Sequence, residues 1–186
     1  MAKPRITPGQ HPYDVARACV RSARRWARDP LGVYLARQAL APYAPTSRDT
    51  SGAWVPGALR AWASGLTYYR EPPLNGELVY SLPYVIAANG GDCDDLTASQ
   101  AAIAAAVGVP ARVCVLWPRA GNTAHVFCAV GPDWESSPTQ RLAWRCVDPD
   151  LPDHPAPCGV AGVSVDALGE RHHDRSSTER LFSQRI

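Results

Sequence analysis

No stretch of this 186-residue chain approaches the ~18 consecutive apolar residues that a membrane-spanning helix needs. Met1-Ala2-Lys3-Pro4-Arg5 is followed by no apolar segment, so no secretory signal is expected. The six cysteines (Cys19, Cys93, Cys114, Cys128, Cys146 and Cys158) include no CxxC pair and no structural-zinc spacing. Charge of one sign is also missing. Nineteen Lys and Arg against 17 Asp and Glu leave a net charge of +2, too small by itself to argue for nucleic acid. There is no internal repeat. What remains is an ordinary globular composition, 46% hydrophobic and 19% charged, in a chain long enough for one domain with a real core. Several cysteines lie in apolar, strand-like runs where a free thiol behaves as a small hydrophobe, so a reduced, cytoplasmic compartment is expected.

One stretch, residues 90–117, organises the rest. Gly90-Gly91 closes a loop, and Asp92 is a good N-cap because its carboxylate can accept a first-turn N–H. An Ala-rich helix is expected from Cys93 to Val107, stopped by Gly108 and kept from restarting by Pro110. Val113 to Trp117 then alternates like a buried strand. Cys93 therefore falls in a first helical turn, where unpaired N–H groups and the helix dipole favour a thiolate. That is a place for a nucleophile.

Upstream, helical spacing over Pro12–Arg28 puts Val15, Cys19, Val20, Ala23 and Trp26 on one face. Arg17, Arg21, Arg24, Arg25 and Arg28 lie largely elsewhere, which reads as a solvated face before it reads as a nucleic-acid surface. A second helix is expected over Leu31–Leu40, a loop over Pro42–Ser51 and a third helix over Pro56–Leu66. Thr67–Glu71 is strand-like, Pro72–Gly76 turns, Glu77–Pro83 is extended and Tyr84–Ala88 makes a helical turn. Downstream, strands are expected over Thr123–Val130 and Arg141–Val147, with the loop 118–122 before the first and a turn and polar loop from Gly131 to Gln140 between them. Asp148-Pro149 ends the second. The remainder is Pro-rich, then Gly-rich, then polar, and its His172-His173 pair reads as solvated or disordered, not as a metal site.

Three polar residues stand at the seams of this order: Cys93 at a helix start, His125 in an apolar strand and Asp148 at a strand end. Each has a bland reading: a buried helix cysteine, a satisfied core histidine and a turn former before proline. Together they match a nucleophile, its base and the acceptor that fixes the base's tautomer.

Gly-Asp-Cys-Asp-Asp (91–95) opening an Ala-rich helix that ends in Gly-Val-Pro-Ala-Arg (108–112), then His125-Val126 and Val147-Asp148-Pro149, resembles the transglutaminase-like cysteine peptidase superfamily. Leu66–Pro72 and Glu77–Pro83 resemble its bacteriophage and prophage subgroup. The likeness covers roughly residues 55–150. It implies an α+β fold with a papain-like core, the cysteine-bearing helix packed on an antiparallel sheet behind an N-terminal helical lobe. It also implies Cys93 as nucleophile, His125 as general base and acid, and Asp148 as the residue orienting His125. Trp54, Trp62 and Asn89 are oxyanion-donor candidates by residue type, beside the Cys93 backbone N–H.

The expected organisation is a helical segment over 1–53, a catalytic core over 54–152 and a Pro/Gly-rich, polar tail over 153–186. The expected activity is amide hydrolysis through a thioester, with transfer to an amine or a non-catalytic phage assembly role as alternatives. Protein or peptide substrates and a phage virion or assembly partner are expected, in host cytoplasm or phage particle, without membrane or nucleic-acid partners. No cofactor is expected. Asp92, Asp94 and Asp95 oppose a thiolate at Cys93. As a divalent-cation site they face the objection that consecutive helical residues diverge, so no metal is expected either.

Overall fold

The computed structural model of the chain describes residues 5–6, 12–45, 54–69, 77–117, 125–131, 145–149, 161–165, 171–173 and 180–185. Strand β1 (Arg5–Ile6) precedes helices α1 (Pro12–Arg28) and α2 (Pro30–Leu40) and a single 3-10 turn, Ala41–Tyr43. Helix α3 (Val55–Ser64), strands β2 (Thr67–Tyr68) and β3 (Glu77–Leu78), helix α4 (Leu82–Ala88), strand β4 (Gly90–Gly91) and helix α5 (Cys93–Ala106) follow. Six strands come after them: β5 (Ala111–Trp117), β6 (His125–Val130), β7 (Arg145–Cys146), β8 (Ala161–Val165), β9 (Arg171–His173) and β10 (Arg180–Arg185).

Local chemistry sets the helix ends. Asp14 lies in the first turn of α1 and Arg25 and Arg28 in its last, each complementing the dipole there. Asp29 caps α2 by accepting from Leu31 N at 2.9 Å, and Pro30 occupies the first turn, where no N–H is needed. The buried stripe of α1, Ala16, Cys19, Val20, Ala23 and Trp26, follows the helical period, while Arg17, Arg21, Arg25 and Arg28 face solvent.

Helix α5 is the centre. Every residue from Asp94 to Ala104 is buried, and the Ala side chains leave room for neighbouring helices on one side and for β5 and β6 on the other. Residues of α1, α2, α3, α5, β5 and β6 share one apolar core. The expected α+β arrangement, a cysteine-bearing helix laid on antiparallel strands, is the one observed.

Among the described residues, the largest sheet has six strands in the order β7-β6-β5-β10-β8-β9. Its pairs are antiparallel except β8 with β10, which run parallel. Residues 161–165, 171–173 and 180–185, within the expected Pro/Gly-rich, polar tail, form three strands, one of them directly beside β5. His172 and His173, expected to be solvated or disordered, pair with Ser164 and Val163 across β8–β9. Arg and His give β9 a polar composition and Arg, Ser and Gln do the same for β10, whose neighbour β5 is remote in sequence.

Of the second expected strand, only Arg145–Cys146 is seen as β7, and residues 141–144 lie outside the described residues. So do Thr123-Ala124, the turn 72–76, the loop 118–122, residues 132–140 and most of the 42–51 loop. No helix among the described residues is long and apolar enough to cross a membrane.

Candidate active site

The start of α5 is built by the residues before it. Asn89 ends α4 in the left-handed region (φ 52°, ψ 40°), a conformation Asn tolerates better than most residues. The chain then runs beside β2, with Thr67 N donating to Asn89 O at 2.9 Å and Tyr69 N to Gly91 O at 3.0 Å. A Cβ on Gly90 would sit 2.0 Å from Thr67 O, and one on Gly91 would sit 2.6 Å from Asp95 Cβ. Only glycine fits this approach. Asp92 follows as the extended N-cap, as expected, and Cys93 is the first residue of the helix.

Cys93 differs from the other thiols. Five cysteines lie among the described residues, none of them in a disulfide; Cys19, Cys114, Cys128 and Cys146 are buried and Cys93 is partly exposed. Burial pushes the Cys19 thiol well above its ordinary value, reinforced by Asp94, Cys93, Asp95 and Asp92. Burial likewise raises Cys128, helped by Cys114, Cys146 and Asp148. Both stay neutral and unreactive near neutral pH.

His125 opens β6 and Asp148 follows β7. Val126, Cys128 and Val130 of β6 enter the core; His125 and Phe127 belong to the opposite set, their rings near parallel with centroids 6.4 Å apart. His125 Nε2 lies 2.6 Å from Asp148 Oδ2, with the side chains 26% and 9% exposed. Neutral His125 therefore donates from Nε2, and Nδ1 carries the lone pair.

Two polar residues of α5 bind the segments that carry this pair, and neither stands out in the sequence. Thr97, one turn after Cys93 on the same helix face, donates its hydroxyl to the carbonyl of Val126 at 3.1 Å. Gln100, a further turn along, donates its side-chain amide to the carbonyls of Val147 at 2.7 Å and Leu59 at 3.4 Å. Val126 follows His125 and Val147 precedes Asp148. Arg60 of α3 donates to the carbonyl of Pro149 at 3.4 Å, on the other side of Asp148. The face of α5 that begins at Cys93 is thus bonded to the neighbours of both His125 and Asp148.

Asp92, Asp94 and Asp95 are all buried, and each brings one carboxylate oxygen within 4.8 Å of the others. The expectation that consecutive residues must diverge is corrected here. Asp92 is extended (φ −98°, ψ −166°), and Asp95 turns back towards it in a capping box. Donor type and spacing would admit a divalent cation. Two of the carboxylates, those of Asp94 and Asp95, also hold backbone N–H groups, and Asp92 Oδ1 is buried without a hydrogen-bond partner. Asp95 accepts from Tyr80 N at 2.6 Å and Asp92 N at 3.3 Å, and Asp94 accepts from Asp95 N at 3.2 Å. Backbone N–H groups thereby take up part of the negative charge beside Cys93.

Trp54 and Trp62 pack against the core, and Asn89 serves as an exposed cap. These positions give the three oxyanion candidates packing and capping roles.

No protein-family model matches the chain, and no curated protein matches it. Four solved chains do. Calcium-bound LapG of Legionella pneumophila is 16% identical with a TM-score of 0.43, over 77% of this chain and 67% of LapG. A candidate protease of Parabacteroides distasonis is 13% identical with a TM-score of 0.45, over 82% of this chain and 34% of its own. A candidate cysteine protease of Cytophaga hutchinsonii is 13% identical with a TM-score of 0.45, over 99% of this chain and 60% of its own. The chain thus spans between a third and two thirds of the structures it resembles.

Proposed function

We propose that the chain is a cysteine-dependent amide hydrolase, of peptidase or isopeptidase type, with Cys93 as nucleophile, His125 as general base and acid, and Asp148 holding His125. The observation that carries this reading is the 2.6 Å contact of Asp148 with His125 Nε2. It leaves Nδ1 as the nitrogen that exchanges a proton with a thiol. Cys93 is one helical turn from Thr97, which is bonded to the residue after His125.

In this reading His125 takes the Cys93 proton, and the thiolate attacks the amide carbonyl carbon. The C–N bond breaks as Nδ1 returns the proton to the departing amine, leaving a thioester on Cys93. Water then gives a proton to Nδ1 and attacks the thioester, and the thiol is released. An amine in place of water would form a new amide instead. Both outcomes share the first half-reaction, so protein glutamine, isopeptide and peptide amides are all chemically competent substrates. The Cys93 N–H, at a helix start, is a natural donor to the oxyanion.

The test is alkylation with iodoacetamide at pH 6, mapped by mass spectrometry, on the native protein and on His125→Ala. An ordinary thiol, with pKa about 8.5, reacts slowly at that pH. Cys93 should label first, and about tenfold or more slower in His125→Ala. Because Cys93 is also the accessible cysteine among the described residues, preference alone decides nothing. Equal rates in the two proteins would sink the catalytic reading and leave a non-catalytic scaffold, such as an assembly component.

A further inference from the structure

We infer that Gln100 is the positioning residue of the His125–Asp148 pair, fastening the Asp148 segment to the helix that carries Cys93; the inference rests on the catalytic reading above. Strand β7 is two residues long, so its ladder with β6 ends at Cys146. Val147 keeps one further bond to β6, from its N–H to Cys128 O at 3.0 Å. Its carbonyl turns the other way and is taken by Gln100 Nε2 at 2.7 Å. Val147 is therefore held to β6 on one side and to α5 on the other, and the next residue is Asp148.

The chemistry of the contact fixes its direction. Carbonyls only accept, so the amide nitrogen must face both Val147 O and Leu59 O, using its two N–H groups. Gln100 is 1% exposed, so water does not substitute for it. A glutamate of the same shape would aim oxygens at two carbonyls, and a methionine of similar length would remove the side-chain donor from both.

The test compares Gln100→Met and Gln100→Glu with the native protein by two measurements. The first is the downfield proton resonance of the His125 imidazole N–H bonded to Asp148, assigned by its loss in His125→Ala. The second is the alkylation rate of Cys93 at pH 6. In both variants the imidazole line should vanish or broaden, and Cys93 should label about ten- to a hundredfold more slowly. A merely structural Gln100 would lower the melting temperature and leave the imidazole line in place, which would overturn the inference. If the line is lost in the variants but Cys93 labels equally in native protein and His125→Ala, the positioning stands and the catalytic reading falls. If neither variant folds, hydrogen exchange on the native protein decides. Both Gln100 side-chain amide protons should then be protected along with the imidazole proton, and their fast exchange would overturn the inference.

Discussion

At the scale of single residues, the choice of imidazole nitrogen is the informative detail. Asp148 takes Nε2, so replacing it with Ala removes the acceptor that favours the tautomer leaving Nδ1 unprotonated. Asp148→Ala is expected to slow alkylation of Cys93 at pH 6 by about tenfold, no more than His125→Ala does, with little change in fold by circular dichroism. The buried thiols make a separate prediction. Burial, then neighbouring negative charge, holds Cys19 and Cys128 protonated in the folded protein well above the ordinary thiol value. Below about pH 8.5 neither state ionises and the stability is intact. Above that the unfolded chain loses protons that the folded chain keeps, so stability falls as pH rises until the folded thiols ionise. The urea midpoint should drop between pH 8.5 and more alkaline solution, and Cys19→Ala should flatten that slope; a flat native profile would contradict it. Cys93, His125 and Asp148 were legible in the sequence because local packing or turn chemistry gives each only a partial explanation. Thr97 and Gln100 were not, because inside an Ala-rich helix they look like filler, and the carbonyls Gln100 meets are 41 and 47 residues away.

At the scale of elements, the loop-to-helix junction concentrates the risk. Gly91→Ala would put a methyl 2.6 Å from Asp95 Cβ, and Asp95 is tied to Tyr80 N and Asp92 N. The helix start must then shift. The expected cost is about 1–3 kcal/mol, read as a lower melting temperature together with a slower alkylation rate of Cys93 at pH 6. Gly108→Ala at the other end of α5, where φ is 81°, should lower stability while leaving that rate unchanged, because it strains the backbone away from the site. Helix boundaries were legible to within a residue or two. Their signals, Asp29-Pro30, Asp92 and Gly108, are local. Helix α4 begins at Leu82, earlier than the expected Tyr84, because Pro83 sits in a first turn that needs no N–H from it. Strands β8, β9 and β10 were not legible, because each is only three to six residues long and its order comes from pairing with another strand.

At the scale of the whole molecule, helix α1 belongs to the core that supports the site. Ala16, Cys19 and Ala23 have no exposed surface and join the same cluster as α5 and β6, and the Cys19 thiol reaches Asp94 O at 3.5 Å. Ala23→Asp would force an unpaired carboxylate into that contact. It should cost about 3–5 kcal/mol and abolish cooperative thermal unfolding or shift it steeply downward, whereas Arg21→Asp on the exposed face should leave it nearly unchanged. The sheet adds a matter of timing. Strand β10 lies between β5 and β8, yet it is encoded after both, Arg180 pairing with Trp117. While a ribosome makes the roughly 60 residues between them, at 5–20 residues per second, one edge of β5 waits about 3–12 s without its neighbour. For that interval the nascent chain presents an open strand edge to every other chain in reach, and synthesis rate and chaperone supply, more than final stability, govern how much of it reaches the native sheet.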